Sequence, residues 1–139
     1  MTEAALGCWY IIATTLPFWE GKSAAQVTYT RRPDGRVDDV LQWEQGGRTR
    51  RLAGVDTVVD DGFSWRGAGW LFPFTSQWRF VALDADHAVT WFARASFGVT
   101  PEGMDVYARA PDHDPAPDLA RIAADPRFAH LSGWFRIPR

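Results

Sequence analysis

The sequence is short of several residue types, and each shortage argues against a class of protein. Cys8 is the only cysteine, so no internal disulfide can form. Lys22 is the only lysine, asparagine is absent, and the net charge is −2. The arginines are scattered, and the small group at 48–51, beside Arg31 and Arg32, is interpreted as a solvated hairpin edge. Without a basic stripe, nucleic-acid binding is not expected.

Long apolar runs are also missing. No segment approaches the roughly 18 apolar residues that a membrane-spanning helix needs, so no transmembrane segment is predicted. The first residues, Met1-Thr2-Glu3-Ala4-Ala5-Leu6, lack the basic start and apolar stretch of a signal peptide. Together with the single cysteine, these features lead us to expect a cytoplasmic protein. A homodimer is kept as an alternative to a monomer.

Aromatic residues, by contrast, are abundant, with eight tryptophans in 139 residues. They recur along short segments of alternating apolar and polar residues, which are separated by glycine, proline and aspartate and are typical of β-strands. A change of pattern after Pro111 predicts a helix over 115–124 and then a final strand or packed tail over 131–137. A proline-containing turn is predicted over 98–103. Strands are predicted at 9–15, 25–31, 36–44, 48–59, 63–69, 77–83, 88–95 and 104–109.

Eight consecutive strands with short links predict an all-β fold, an eight-stranded antiparallel up-and-down β-barrel with a short C-terminal helix. The chain length fits one domain over residues 1–139, with the strands in about 7–110 and the helix and tail in about 115–139. A barrel of eight strands is just wide enough to hold one small ligand.

Three short motifs carry a resemblance to a known family. Gly7-Cys8-Trp9-Tyr10 opens the first strand, Ala85-Asp86-His87 lies between the sixth and seventh strands, and Arg109 ends the eighth. In this order and spacing the chain resembles the lipocalins, most closely small bacterial ones. The second motif keeps only the aspartate of the family's usual Thr-Asp-Tyr. That departure weakens any inference about secretion or about a particular class of ligand.

The resemblance implies a structural plug at the closed end of the barrel, formed by Gly7, Trp9 and Arg109. In the family the arginine lies across the indole, and such a cation–π contact contributes about 0.5–2 kcal/mol. The alternative is that Trp9 is an ordinary core residue and Arg109 a solvated charge. The resemblance also points Trp9 into the barrel, and strict alternation would point Ile11 and Ala13 the same way.

Alternation on the other strands gives candidate cavity walls. The sixth strand, for example, has Trp78, Phe80 and Ala82 on one face, opposite Gln77 and Arg79. We expect the barrel to bind a small hydrophobic or aromatic molecule without transforming it. A barrel filled by its own rings and acting as an interaction module is an alternative. Trp70, Phe72 and Phe74 are predicted either to cap one end of the barrel or to form a hydrophobic patch for a partner or a membrane surface. The candidate ligand-binding residues are Tyr29, Trp43, Trp65, Trp78, Phe80, Trp91 and Tyr107.

An enzyme of the isomerase, cyclase or hydratase type is the second alternative. Asp105 shares its strand face with Tyr107, and a carboxyl group enclosed by aromatic rings could serve as a base. Glu44 and Asp56 are further candidates for that role. The three histidines have no metal-ligand spacing, so neither a metal site nor a cofactor, haem included, is predicted.

Overall fold

The described residues fold into nine β-strands and one α-helix. The computed structural model describes residues 1–95 and 100–139, so the predicted turn over 98–103 lies partly outside the described residues. Short 3₁₀ turns occur at Glu3–Ala5, Pro17–Trp19 and Gly69–Leu71. The elements are β1 (Gly7–Thr14), β2 (Ser23–Arg31), β3 (Val37–Gln45), β4 (Arg48–Val59), β5 (Gly62–Gly67), β6 (Thr75–Leu83), β7 (His87–Phe92), β8 (Gly103–Ala108), α1 (Ala116–Ala124) and β9 (Phe135–Arg136).

The first eight strands form a closed antiparallel barrel. Each strand from β2 to β8 pairs with its neighbours in sequence, and β1 closes the ring by pairing with both β2 and β8. The predicted eight-stranded up-and-down barrel with a C-terminal helix is therefore confirmed. The predicted final strand or packed tail is the two-residue β9, which pairs with the end of β1.

The barrel has two distinct ends. We call the end near Gly7 the closed end, where the hairpin turns at 32–36, 60–61 and 84–86 also lie. The opposite, open end carries the loops at 15–22, 46–47 and 68–74. Alternation places the apolar side chains inside as expected on β2, where Ala25, Val27 and Tyr29 are all buried.

Among the described residues, three strands carry a register shift of the β-bulge kind, and two of these shifts change which predicted cavity residues face inward. One lies in β1 between Ile11 and Ala13, and the other in β6 between Phe80 and Ala82. An extra residue in a strand reverses the alternation beyond it. The expectation that Ala13 and Ala82 face the cavity is therefore wrong. Ala13 packs in a second core outside the barrel, and Ala82 is exposed.

This second core explains the C-terminal helix. α1 and the segment after it lay Ile122 and Phe128 against the outer faces of β7 and β8, where they meet Val89, Met104 and Val106. Strand β8 is consequently buried on both faces. Within the described residues, no helix is long and apolar enough to cross a membrane.

A cluster of polar side chains around the buried Asp118 links the start of the helix to the barrel. The carboxylate oxygens of the buried Asp118 lie 3.4 Å from His87 Nε2, 2.8 Å from His113 Nε2 and 2.9 Å from a guanidinium nitrogen of Arg121. The two imidazole rings stack with their centroids 5.3 Å apart. Among the described residues, no group of three or more potential ligands is arranged to hold a metal ion.

Candidate functional site

Arg109 and Trp9 meet at the closed end of the barrel. The guanidinium carbon of Arg109 lies 3.5 Å from the centroid of the buried indole. The same guanidinium donates hydrogen bonds to the carbonyls of Ala4, Leu6 and Cys8 at 2.8–2.9 Å. The side chain therefore ties the N-terminal segment to β8 while it covers the indole. The contact expected from the resemblance is therefore present.

Gly7 and the short 3₁₀ turn complete this arrangement. The backbone of Gly7 has a φ of +94°, which L side chains rarely adopt, and a Cβ there would lie 3.4 Å from an Arg109 nitrogen. The Trp9 indole N–H donates to the Ala5 carbonyl at 2.9 Å, so its only polar group is satisfied in the core. These residues close the barrel floor and leave the interior above it.

Above the floor, the barrel encloses a cavity of about 160 Å³. Its walls are mostly aromatic and aliphatic, with a few polar groups, and it extends to residues at the open end. The described residues that line the cavity are Leu16, Phe18, Trp19, Tyr29, Asp39, Leu41, Leu52, Trp65, Ser76, Trp78, Phe92, Thr100, Asp105 and Tyr107.

Two of the three tryptophans that line the cavity, Trp65 and Trp78, are held in place by their neighbours. Trp65 lies flat on Gly54 of β4, where a Cβ atom would come within 2.2 Å of the ring. Glycine at that position is what lets the indole lie against the sheet. Trp78 stacks on Tyr29 with centroids 5.6 Å apart, and its indole N–H donates to Asp56 Oδ1 at 2.9 Å. These contacts hold both rings against the barrel wall.

The loop between β1 and β2 covers part of the open end. Phe18 and Trp19 line the cavity from this loop, and both rings pack edge-on against Trp43, at 5.4 and 5.8 Å. On the opposite side of the rim, Trp70 and Phe72 are 83% and 63% exposed. They lie outside the cavity, so they neither fill nor cap it.

Asp105 is the buried acid on the β8 wall. Thr14 Oγ1 donates to its Oδ1 at 2.6 Å. Burial raises the pKa of Asp105 to about 7, although hydrogen bonds from Thr14 and Trp19 lower it in part. Next to it on the same face, Tyr107 accepts a hydrogen bond from the Tyr29 hydroxyl at 3.3 Å. Burial also raises the pKa of both tyrosines well above its usual range.

A second acidic group lies across the cavity, on β3 and β4. Asp39 lines the cavity, and Asp56 lies next to it with only 1% of its surface exposed. Burial is the main cause that raises the pKa of both carboxyls, to about 6 for Asp56 and well above the usual value for Asp39. The negative charge of Asp56 raises the pKa of Asp39 further. One carboxyl of the pair can bond to the other only while it carries a proton.

The structure places the sequence-predicted residues in three groups. Four of them line the cavity: Tyr29, Trp65, Trp78 and Tyr107. Two are inside the barrel but behind the wall, because Trp43 supports the loop at the open end and Phe80 packs against Trp78 at 5.1 Å. One, Trp91, is outside. Of the proposed acids, Asp105 lines the cavity, Asp56 adjoins it, and Glu44 does not reach it.

The expected inward orientation of Trp91 is wrong. Its indole N–H donates to Glu102 at 2.7 Å on the outer surface, and Arg79 lies over its ring at 5.0 Å. Phe92 faces the cavity instead. The predicted strand over 88–95 was too long, because β7 ends at Phe92 and the residues after it carry no information on which face points inward.

Glu44 is also misplaced as a candidate base. It lies on the outer face of β3 and accepts a hydrogen bond from Thr49 at 2.6 Å. The acid that the sequence analysis missed on this strand is Asp39. A signal was available, because Asp39 and Leu41 share the strand face of Trp43, for which an inward direction was expected. The cavity-lining loop residues Phe18 and Trp19 had no such signal, since loops lack periodicity.

Comparisons with known proteins agree with this architecture. No protein-family profile matches the sequence, and no curated protein sequence matches it. Solved structures do match, at low identity. The siderocalin Ex-FABP, described as functioning through dual ligand specificities, superposes with a TM-score of 0.74 at 15% identity, over 99% of this chain and 95% of its own. Lobster apocrustacyanin A1 superposes with a TM-score of 0.71 at 14% sequence identity, over 98% of this chain and 78% of its own. Apocrustacyanin C1 superposes with a TM-score of 0.72 at 13% sequence identity, again over 98% of this chain and 78% of its own.

These matches establish the fold. A closed, eight-stranded antiparallel barrel with a helix after its last barrel strand is a lipocalin-like architecture. The resemblance seen in the sequence is therefore confirmed at the level of the fold. Identities of 13–15% carry no information on which ligand this chain would take.

Proposed function

We propose that the protein binds a small, ring-sized, mostly apolar molecule in the barrel. The observation that carries the proposal is the preformed cavity of about 160 Å³ between fixed aromatic walls. A buried apolar cavity of roughly 150 Å³ is large enough for one benzene molecule. The volume favours a monocyclic ligand over a fatty acid or a polycyclic pigment. Binding sites for small molecules are usually lined by apolar and aromatic side chains with a few polar groups, as this cavity is.

The route into the cavity supports the same proposal. Ser76 lies near the start of β6 and lines the cavity at the open end, beside Trp65 on the paired strand. Because this side chain is small, we place the entrance to the cavity here. A barrel filled completely by its own rings would have no such cavity, which makes the interaction-module alternative less favourable.

We expect Ser76→Leu to weaken binding of toluene and benzyl alcohol about tenfold, because a larger side chain would occupy the entrance. Binding is measured as the change in tryptophan emission on titration, since Trp65 and Trp78 form the wall. The matched control is Ser64→Leu on β5. Ser64 pairs with Gln77 and lies on the outer face. The control should bind both probes like the wild type.

Two results would count against the proposal. If neither probe, nor a set of larger apolar probes, changes the emission of the wild-type protein, the cavity does not bind such ligands. If Ser76→Leu and Ser64→Leu have the same effect, the ligand enters or binds elsewhere. Thermal unfolding of both variants confirms that they are folded before the comparison is made.

The second candidate function is proton transfer in the same cavity. The observation that favours it is Asp105, a buried carboxyl whose pKa of about 7 suits a general base near neutral pH. We expect wild-type protein to speed deuterium exchange from D₂O into cyclohexanone, followed by NMR, and Asp105→Asn to slow that exchange about a hundredfold. Equal exchange rates for the two proteins would eliminate Asp105 as the base.

A further inference from the structure

Asp39 faces the cavity without a cation or a neutral donor to balance it. Only 7% of its surface is exposed, and it lines the cavity from β3. Asp56 lies beside it, and the negative charge of Asp56 raises the pKa of Asp39. Asp56 Oδ1 accepts a hydrogen bond from Trp78, whereas its buried Oδ2 has no hydrogen-bond partner among the described residues. An acidic pair of this kind is costly to bury unless something else supplies the missing positive charge.

The cavity itself supplies no positive charge. None of the described residues that line it is arginine, lysine or histidine. The groups that face Asp39 are Asp56 on β4 and Tyr29 on β2, the two neighbouring strands, and Tyr107 with Asp105 on β8 across the cavity. All four are neutral or negative. The N-terminal ammonium is the one cation that lowers the pKa of Asp56, and it is the smallest contribution there.

Aromatic faces surround this carboxyl. Tyr29 and Trp78 stack in parallel beside the Asp39–Asp56 pair, with an angle of 15° between their planes. Carboxylates and π faces together are what stabilises an organic ammonium ion removed from water. A neutral alcohol could donate a hydrogen bond to the carboxylate, but it would not neutralise the charge.

We infer that the cavity binds small aromatic amines in their protonated form, with the ammonium held by the Asp39 carboxylate and the ring against Trp65 and Trp78. The inference rests on the proposed function, because it specifies the ligand class of the same cavity. Asp56 acts through its neighbour as a positioning residue, held by the Trp78 indole. The ammonium also provides the donor that the acidic pair lacks.

Binding of the cation should release a proton. In the empty cavity near neutral pH, the acidic pair retains a proton because burial raises the pKa of both carboxyls. When R–NH₃⁺ enters, the carboxyl O–H bond breaks, the electron pair stays on the carboxylate, and H⁺ leaves to solvent. Affinity should therefore rise with pH until the pair is ionised. A neutral ligand of the same shape should show no such release.

The experiment compares benzylamine, benzyl alcohol and benzoate by calorimetry, at about pH 6 and about pH 8, in two buffers of different ionisation enthalpy. We expect wild-type protein to bind benzylamine at least about tenfold more tightly than benzyl alcohol, and benzoate most weakly. Proton release should accompany benzylamine alone, a measurement that needs no variant. Asp39→Asn should abolish both the preference and the proton release.

The matched control is Asp38→Asn, on the same strand but on the outer face, where Asp38 pairs with Arg32 at 3.0 Å. It should retain the preference for benzylamine. If wild-type protein binds benzyl alcohol as tightly as benzylamine, the inference fails and the proposed function stands. If no probe binds, the proposed function fails. If Asp105→Asn removes the preference and Asp39→Asn does not, the assignment to Asp39 is wrong.

Discussion

Replacing Asp105 by asparagine should stabilise the protein by about 4 kcal/mol at pH 8 and leave its stability unchanged at about pH 4. Asp105 is 2% exposed, and burial raises its pKa from 3.8 to about 7. Asparagine has nearly the same shape, and its carbonyl oxygen can accept the hydrogen bond that Thr14 donates. The variant removes the cost of ionising a carboxyl group in the cavity wall.

The direction of the pH effect follows from which state holds the proton. Below the unfolded pKa of 3.8, both states are protonated and Asp105 has no effect on the pH dependence of stability. Between 3.8 and about 7 the folded state keeps the proton and the unfolded state loses it. Stability therefore falls by about 1.4 kcal/mol per pH unit in that window. Above it, the full cost is present.

The measurement is urea unfolding of wild type and variant across this pH range. Ionisation of Asp39 and Asp56 also lowers the stability of the protein as pH rises. This effect is the same in wild type and variant, so the difference between the two curves reports Asp105 alone. Asp60→Asn, in the exposed turn between β4 and β5, is the control and should leave the curve unchanged. Equal stabilities of Asp105→Asn and wild type at pH 8 would contradict the raised pKa.

The barrel was predictable from the sequence because its signal is repeated. On β2, apolar side chains are buried at every second position. The same alternation recurs on most strands, and glycine, proline and aspartate in the turns separate one strand from the next. Each strand supports the next, since short links leave few ways to connect antiparallel neighbours. Errors at single strand ends, such as the early end of β7, therefore did not change the topology.

The site was harder to predict because it depends on details that alternation does not encode. The bulge between Ile11 and Ala13 moves the end of β1 to the other face. The second core makes β8 apolar on both sides, so its composition does not reveal which side is inside. Asp39 carried the right parity, but a carboxylate is the residue least expected to face an apolar cavity.

The predictability of the barrel and the difficulty of predicting the site have one cause. A barrel interior can hold a few buried polar side chains when its apolar contacts stabilise the fold enough to offset their cost, and such side chains often mark functional sites. Asp39, Asp56 and Asp105 reduce stability at neutral pH, as their raised pKa values indicate. Their placement in and beside the cavity wall is consistent with the ligand-binding role proposed for the cavity.

At the opposite end, Arg109→Ala should destabilise the protein by about 3 kcal/mol, a fall in Tm of about 10 °C. The change removes the guanidinium 3.5 Å from the Trp9 ring and the donors to three carbonyl groups, those of Ala4, Leu6 and Cys8. Two of these carbonyls belong to the N-terminal segment before β1, which should detach first. Arg109→Lys should recover only part of the loss, since an ammonium cannot reach all three acceptors in one plane.

The matched control is Arg127→Ala. Arg127 also lies over an aromatic ring, that of Phe128 at 4.8 Å, but its hydrogen bonds go to the side chain of Asp125 on an exposed turn. Exposed ion pairs of this kind contribute about 0–1 kcal/mol. If both arginines are equally dispensable in thermal unfolding, the closed end is not held by the contact with Trp9. If only Arg109→Ala lowers the Tm, the three backbone carbonyls bound by Arg109 explain why this contact stabilises the protein more than the Arg127–Phe128 pair.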